Sequence, residues 1–217
     1  MIQDIIIPWR DTGEPWRKKH FDFLIKYYSD YYNVILGDSD GDFNRSAARN
    51  NGVLNSKSEV SVIVDADNFI PINQIENAIA VALTKKALVK PFSSFGYLTE
   101  ESTNLFYECF DDSYTDFSPT YINPPQEDFT GGAYVMRKSL WQDLGGMDEG
   151  FIGWGAEDDA FHLLCKNMSI KIRYINGVDY HLYHPAFRKT SEFNYNKLMK
   201  EYVRDRAGGV MKWRLGK

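Results

Sequence analysis

Two aspartates directly follow a strongly apolar run in the first third of the chain. The run is 62–64, and the acids are Asp65 and Asp67. In an extended chain residues i and i+2 point to the same side, so both carboxylates are expected to face one ligand. Such oxygen ligands suit Mn²⁺ or Mg²⁺, and a cation held there could bridge a diphosphate. The alternative is a strand that ends in an Asp-rich turn and binds no metal.

A second group of acids lies later in the chain, immediately after a tryptophan flanked by glycines. Glu157, Asp158 and Asp159 follow Trp154, and three adjacent acids suit the first turn of a helix, where the helix dipole favours negative charge. Helix capping alone would explain them. The functional alternative is that Trp154 is a platform for a flat or sugar-like ligand and that a carboxylate acts as general base towards a hydroxyl.

Two of the four histidines, His181 and His184, lie close together near residue 182. A neutral imidazole binds Mn²⁺-like metals, so either histidine could complete a site begun by the aspartates, although isolated histidines are more often structural. His20 and His162 lie in helical patterns and are expected to be packing or surface residues.

Short apolar runs alternate with amphipathic stretches through the first 90 residues. Runs at 5–7, 34–36, 60–64 and 87–89 indicate strands, and the stretches between them indicate helices. This order predicts an α/β fold with a single, Rossmann-like, mostly parallel sheet and helices on both faces. Ligands of such sheets bind beyond the carboxyl ends of the strands, which is where Asp65 lies.

Composition narrows the class of protein. The 217 residues, 43% of them hydrophobic, suit one domain, and two cysteines without a CxxC pair argue against a disulfide scaffold or a zinc ribbon. No apolar run approaches the roughly 20 residues that span a bilayer. The N-terminus lacks a signal-peptide pattern. We therefore expect a cytoplasmic protein without a membrane span, anchor or stem. P-loop, GxGxxG and GxSxG patterns are also missing from the sequence.

The net charge of -5 hides two opposed blocks. The stretch 91–136 has eight acids and no Lys or Arg, and its prolines predict a long loop region beside the site. The stretch 185–217 has nine basic residues against three acids, a net of +6. Both blocks could be ordinary solvated surface. The second could instead follow a nucleic-acid backbone, through basic and aromatic residues that are interleaved: Arg188, Lys189, Phe193, Tyr195, Lys197, Lys200, Tyr202, Arg204, Arg206, Lys212, Trp213 and Arg214.

Taken in order, these motifs resemble the GT-A-fold nucleotide-sugar glycosyltransferases. The nearest groups are the β-1,4-galactosyltransferases and the bacterial chondroitin-polymerase-like family 2 enzymes, and the resemblance covers residues 5–184. The matching motifs are Ile7-Pro8-Trp9-Arg10, the FNR-like helix 43–50, the metal-binding Asp65-Ala66-Asp67, Gly131-Gly132-Ala133 with Gly145-Gly146-Met147-Asp148, the WGGEDD-like segment 154–159, and His184. Ala156 departs from the family by replacing the second Gly of WGGEDD.

The resemblance implies a role for each matching residue. Asp158 would be the catalytic base, and Trp154, Glu157 and Asp159 would form the acceptor pocket. The metal, Mn²⁺ or Mg²⁺, would bind Asp67, Asp65 and His184, with His181 as the alternative histidine. The nucleotide sugar would bind residues from several motifs: Pro8, Trp9, Arg10, Asp38, Asp40, Arg45, Asp65, Gly131 and Gly132.

The resemblance also implies the reaction, which is transfer from a nucleoside diphosphate sugar, expected to be UDP-linked, to an acceptor hydroxyl. Retaining relatives carry Asn where this chain has Asp158, so inversion is expected. The acceptor would be a glycan or polysaccharide; the alternative is a hydroxymethylated pyrimidine in DNA, as for enzymes of bacterial viruses. Nucleotidyl transfer and non-catalytic binding of a nucleotide sugar are further alternatives. We expect a catalytic domain over 1–184 and a basic helical extension over 185–217.

Overall fold

The computed structural model describes residues 2–109, 119–127, 129–185 and 192–198. In chain order, the elements of the first half are β1 (Asp4–Pro8), α1 (Pro15–Ser29), β2 (Asn33–Gly37), α2 (Arg45–Asn55), β3 (Val60–Val64), β4 (Asn68–Phe69), α3 (Ile72–Thr84), β5 (Ala87–Lys90), β6 (Ser94–Tyr97) and α4 (Glu100–Cys109). Those of the second half are β7 (Gln126–Glu127), β8 (Ala133–Arg137), α5 (Lys138–Leu144), α6 (Glu157–Asn167), β9 (Lys171–Tyr174), β10 (Val178–His181) and α7 (Glu192–Leu198).

Local sequence explains where the elements around the site begin. Pro15 occupies the first turn of α1, where its missing N–H costs no hydrogen bond. The side chain of Asn44 caps α2 by accepting a hydrogen bond of 3.0 Å from the Ala47 amide. Helix α6 has no side-chain cap; it begins after Ala156, which has a left-handed φ of 67°, and three acids occupy its first turn.

The larger sheet has six strands in the order β2-β1-β3-β8-β5-β9. Strands β2, β1 and β3 are parallel, as are β5 and β9, whereas β8 is antiparallel to both of its neighbours. The α/β class is therefore confirmed, with a mixed sheet. β8 runs in the opposite direction to the strands on either side of it. It follows Gly131-Gly132 and pairs with β3 from Val64↔Ala133 to Val60↔Arg137.

Helices on both faces bury alternate side chains of the central strands. Ile5 and Ile7 belong to the cluster that α1 and α3 cover, and Ile6 points into the cluster of α5 and α6. Because successive side chains of a strand point to opposite faces, the three isoleucines fill the cores on both faces of the sheet. This explains why the whole run is apolar.

The expectation of a single sheet is wrong, because a second sheet of four strands has the order β4-β10-β6-β7. Its strands are only two to four residues long, so they carry little periodic signal. The expectation of a long loop in the acidic stretch is also wrong where β6, α4 and β7 form. Residues 110–118 and 128 of that stretch lie outside the described residues.

Within the basic C-terminal stretch the structure describes 185 and α7. The side chains of Tyr195 and Lys197 are among those described, and the side chain of Phe193 is not. The other residues of the interleaved set lie outside the described residues: Arg188, Lys189, Lys200, Tyr202, Arg204, Arg206, Lys212, Trp213 and Arg214. None of the helices in the described part of the chain is both long and apolar enough to cross a bilayer.

A buried carboxylate at the start of β1 binds several neighbouring segments at the end of the larger sheet that lies opposite the site. Asp4 accepts hydrogen bonds from the Asn33 side chain (2.7 Å), the Ser56 hydroxyl (2.8 Å) and the amides of Lys57 (2.6 Å) and Ser58 (3.2 Å). Burial raises the pKa of Asp4, but these donors outweigh it and hold the pKa below its ordinary 3.8.

We predict that Asp4→Asn lowers the free energy of unfolding by about 1–3 kcal/mol at neutral pH, because the amide cannot accept all four bonds. The folded pKa is depressed, so this stabilisation is present above the ordinary carboxyl pKa and is lost as the pH falls through the folded value. Urea denaturation at pH 7 and pH 3 checks both statements. Asp30→Asn, at an exposed position after α1, is the control, and equal losses in the two variants would contradict the prediction.

Candidate active site

The two acidic motifs meet on one buried guanidinium. Arg49 of α2 is 0% exposed and donates to both oxygens of Asp65 from Nη2, at 2.8 and 2.7 Å. Its Nη1 donates to Oδ1 of Asp158 at 2.9 Å. The end of β3 and the start of α6 are therefore joined through α2. Sequence analysis assigned Arg49 no role, although its spacing of four residues from Arg45 places both on one helix face.

The two adjacent acids of α6 have opposite pKa shifts. Burial raises the pKa of Asp158, but Arg49, Arg45 and the Tyr134 hydroxyl outweigh it and lower the pKa to about 2. Burial and the charge of Asp158 raise the pKa of Glu157 to about 7, against the lowering effect of the arginines. Asp158 is therefore ionised at neutral pH, whereas Glu157 gains and loses its proton close to neutral pH.

Glu157 and Asp159, both assigned to the acceptor pocket from the sequence, bind side chains outside that group. Glu157 is buried and lies 2.7 Å from Nη2 of Arg45, so a residue assigned to the acceptor pairs with one assigned to the nucleotide. Oδ1 of Asp159 accepts a hydrogen bond of 2.9 Å from the Thr130 hydroxyl. Both acids thereby tie α6 to neighbouring segments.

A second cluster is suited to a divalent metal. One carboxylate oxygen of Asp67 and one nitrogen from each of His181 and His184 all lie within 4.8 Å of one another. Nε2 of His181 and Nε2 of His184 lie 3.8 and 3.7 Å from Oδ2 of Asp67. The structure therefore brings together both histidines between which the sequence left the choice open. Burial lowers the pKa of His181, so its imidazole is neutral at pH 7, the form that binds metals.

Asp65 does not face this cluster, because the chain turns immediately after β3. The Asn68 amide donates to the Asp65 carbonyl at 3.0 Å, and the extended geometry that would align Asp65 with Asp67 is lost. Pairing of β10 with β4 sets His181 opposite Asn68, and the Leu182 amide donates to the Asp67 carbonyl at 2.8 Å. The second sheet thus carries the histidines to Asp67.

Aromatic side chains of α1 enclose the metal cluster. Trp16 stacks on His184 with 4.4 Å between ring centroids and 17° between planes. His20 is buried and bonds the Tyr107 hydroxyl through Nδ1; burial lowers its pKa to about 4. His20 and His162 are both buried helical residues, so of the two expected positions, packing or surface, the structure places them in the packed interior.

Arg10, which the sequence assigned to nucleotide binding, holds the loop after β2 in place. Nε of Arg10 donates to Oδ1 of Asp38 at 2.9 Å, and the same guanidinium binds the carbonyls of Ser39 and Gly41. It also lies 5.7 Å from the centroid of the Phe43 ring. Arg10 and Asp38 are therefore partners of each other and shape the loop on which the exposed Asp40 also lies.

Pro8 and Trp9 lie beside this loop, at the carboxyl end of β1. Pro8 is the last residue of the strand, and the Trp9 amide donates to the Gly37 carbonyl at 2.8 Å. The Trp9 ring stacks on Phe21 of α1 with 4.3 Å between centroids. Three of the residues assigned to the nucleotide, Pro8, Trp9 and Arg10, thus lie together at the edge where β1 and β2 end.

Gly131 and Gly132 contact two buried ionisable side chains, Lys90 and Asp179, for which the sequence had suggested no role. Nζ of Lys90 donates to the carbonyls of Thr130 (2.9 Å) and Gly131 (2.5 Å), and burial lowers its pKa to about 7. Gly132 has a φ of +85°, and a Cβ there would collide with the buried Asp179 carboxylate. A Cβ on Gly131 would lie 3.1 Å from Oδ2 of Asp158. Gly131 therefore lets the ionised Asp158 carboxylate pack directly against the backbone, and Gly132 does the same for the Asp179 carboxylate.

The loop that carries Trp154 is held by α7. The Asn194 side chain donates to the carbonyls of Ile152 (2.9 Å), Trp154 (3.3 Å) and Gly155 (3.0 Å). Lys197 lies 3.1 Å from Asp148. Trp154 is 37% exposed, so part of this residue is accessible on the loop that leads into Glu157 and Asp158.

Comparison with known proteins supports this architecture. A family model described as the N-terminal domain of galactosyltransferase matches residues 112–185. Mouse β-1,4-galactosyltransferase 7 is 25% identical over 145 residues, which cover 59% of this chain and 44% of the mouse protein; the human protein is 24% identical. The chain spans less than half the length of these curated relatives.

Solved structures of low sequence identity share the fold. A mutant of Drosophila β-1,4-galactosyltransferase 7, solved with manganese, UDP-Gal and xylobiose, aligns with a TM-score of 0.55 at 15% identity, over 96% of this chain and 82% of that one. S. aureus TarS 1–349 in complex with UDP-GlcNAc aligns with a TM-score of 0.54 at 14% identity, over 90% and 64% of the two chains. These likenesses show that the fold is GT-A.

We predict that Arg49→Met lowers the free energy of unfolding by about 3 kcal/mol, because it leaves two carboxylates without their buried cation. Adding Asp65→Asn to Arg49→Met should recover part of this loss, which a double-mutant cycle by chemical denaturation measures. Lys26→Met, at an exposed position of α1, is the control. Additive losses from Arg49→Met and Asp65→Asn would contradict the role assigned to Arg49.

Proposed function

We propose that the chain is an inverting, metal-dependent glycosyltransferase that moves a sugar from a UDP-linked donor to an acceptor hydroxyl. One observation carries the proposal: a continuous set of contacts links a metal-binding cluster to an ionised carboxylate. Asp67 belongs to the cluster, and Asp65, two residues away, binds Arg49, which also binds Asp158. A site that must stabilise a leaving diphosphate and accept a proton needs both groups close together.

Asp67, His181 and His184 would hold the metal. Two imidazoles and one carboxylate favour Mn²⁺ over Mg²⁺, which prefers a shell of oxygen ligands. When bound, the metal would neutralise charge on the diphosphate as it leaves. The manganese present with the Drosophila enzyme supports this assignment.

Asp158 would accept the proton of the attacking hydroxyl. Arg49 and Tyr134 both bind its Oδ1, and Oδ2 packs against Gly131, where an added Cβ would lie 3.1 Å away. A carboxylate whose pKa is about 2 is a weak base, so proton transfer would come late, as the new glycosidic bond makes the hydroxyl acidic. Arg49 therefore orients the base at some cost in basicity. Attack from the face opposite the diphosphate would give inversion.

The donor base would lie against the loop that Arg10 and Asp38 organise, beside Trp9. The UDP-sugars bound to the Drosophila and S. aureus proteins support uridine as the base. Trp154, which is partly exposed, would give a sugar acceptor an aromatic face. Xylobiose, present with the Drosophila enzyme, supports a glycan as the acceptor class.

A DNA acceptor gains no support from the part of the basic stretch that is described. Lys197 pairs with Asp148, and its Nζ lies 5.0 Å from the centroid of the Phe151 ring, so it points into the protein. Nucleotidyl transfer, the other enzymatic alternative, would leave the Trp154–Asp159 segment without a role.

The proposal is tested by incubating the protein with Mn²⁺, a panel of UDP-sugars and either oligosaccharides or hydroxymethylated duplex DNA. Sugar transfer to DNA alone, or to neither acceptor, would contradict a glycan acceptor.

We predict that Asp158→Asn lowers kcat for sugar transfer by about 10²–10⁴-fold, because the amide cannot accept the proton. UDP affinity, measured by calorimetry, should change by less than about threefold, since in the proposed site Asp158 contacts the acceptor and not the nucleotide. Asp143→Asn, at an exposed position of α5, is the control. Unchanged turnover in Asp158→Asn would show that another group is the base.

We also predict that Asp67→Asn, His181→Ala and His184→Ala each weaken Mn²⁺ binding by more than about tenfold, because each removes one ligand. Electron paramagnetic resonance of free Mn²⁺ measures the affinity. Because burial lowers the pKa of His181, its contribution to Mn²⁺ binding should persist somewhat below pH 6.5 and be lost as the His181 imidazole becomes protonated. Full affinity in His181→Ala would remove that residue from the site.

A further inference from the structure

Arg17 has no assigned role, yet it lies between the two ends of the proposed donor site. Its guanidinium carbon lies 5.4 Å from the centroid of the Trp9 ring and 5.9 Å from that of Trp16. Trp9 borders the nucleotide loop, and Trp16 stacks on His184 of the metal cluster. The two indoles therefore fix the position of Arg17 along the line from the base to the metal.

One donor of the guanidinium lacks a partner among the described residues. Its Nε is buried and has no hydrogen-bond partner, and no carboxylate in the described part of the chain lies within 4.0 Å of its nitrogens. Its charge is felt at Asp67, where it helps to lower the pKa of the carboxylate. A buried donor without an acceptor costs stability, which an anionic ligand with free oxygens would recover.

We propose that Arg17 binds the diphosphate of the nucleotide donor. The inference rests on the proposed function and adds a residue to its donor site. A nucleoside diphosphate that spans the Arg10–Asp38 loop and the metal cluster has its phosphates beside Trp9 and Trp16, where the guanidinium lies. The planar fork of Arg17 matches paired phosphate oxygens, and indole stacking restricts its rotation, so little freedom is lost on binding.

Charge balance supports the same assignment. A divalent cation bound to Asp67 has part of its charge cancelled by that carboxylate, which is the only acid in the cluster among the described residues. The diphosphate would then be incompletely neutralised by the metal alone. Arg17 supplies further positive charge on the side of the cluster that faces α1, and it would continue to act as charge develops on the leaving group.

The test compares ligands that differ only in phosphate. Calorimetry with UDP and with uridine, both in Mn²⁺, is applied to the wild type, Arg17→Gln, Arg17→Met and Arg17→Lys. We expect Arg17→Gln and Arg17→Met to weaken UDP binding by about ten- to hundredfold, the range for a charged hydrogen bond, with uridine and Mn²⁺ affinities changed by less than about twofold. Arg17→Lys should recover part of the UDP affinity. Lys18→Gln, the neighbouring surface position paired with Asp22, should bind UDP as the wild type does.

A purely structural Arg17, needed only to pack between the indoles, predicts a different pattern. Arg17→Met would then bind UDP as the wild type does, or UDP and uridine would weaken by the same factor, and either result overturns the proposal. The outcome is separable from sugar transfer. If the wild type transfers no sugar but its binding of UDP or inorganic pyrophosphate depends on Arg17, the diphosphate role stands. If the wild type binds neither, the proposal fails.

Discussion

The buried guanidinium of Arg49 is the interaction on which the rest of the site depends. It is fully buried, and it holds the carboxylate that ends β3 and one that begins α6. Neither acid could occupy its place unpaired without a large desolvation cost. Helix α2 therefore joins the central strand to α6, and the same contact that closes the core also sets the distance between the two halves of the site.

The charge of Arg49 also gives two neighbouring acids of α6, Glu157 and Asp158, different pKa values. Arg49 lies 2.9 Å from Asp158 and 3.8 Å from Glu157, whose nearer partner is Arg45. Asp158 remains ionised, while burial and the charge of Asp158 move the pKa of Glu157 towards neutrality. Neighbouring carboxylates with pKa values driven apart are suited to different roles. In the proposed reaction Asp158 accepts a proton, and Glu157 anchors α6 to α2.

The sequence predicted most of the larger sheet, because runs such as 5–7 and 60–64 are continuous, apolar and bounded by turn residues. It also singled out the acids and both histidines that the structure brings together in the two clusters. It could not predict the direction of β8, which depends on where a distant segment enters the sheet, or the second sheet, whose strands are too short to show a period. Arg49 and Lys90 were missed because a basic residue on an apolar element is read as a surface group until its buried partners are known.

The most informative difference concerns Asp65 and Asp67. An extended chain would aim both carboxylates at one metal, but the turn that begins at Asp65 sends them to different partners. Asp67 meets His181 at the end of β10 and His184 just after it, while Asp65 binds the guanidinium of Arg49. A spacing of two residues thus places the metal cluster next to the ion pair that orients Asp158. Because the turn follows β3 directly, and the Asp65 amide is bonded to the Gly132 carbonyl at 2.9 Å, the rigidity of the central sheet is transmitted to both clusters.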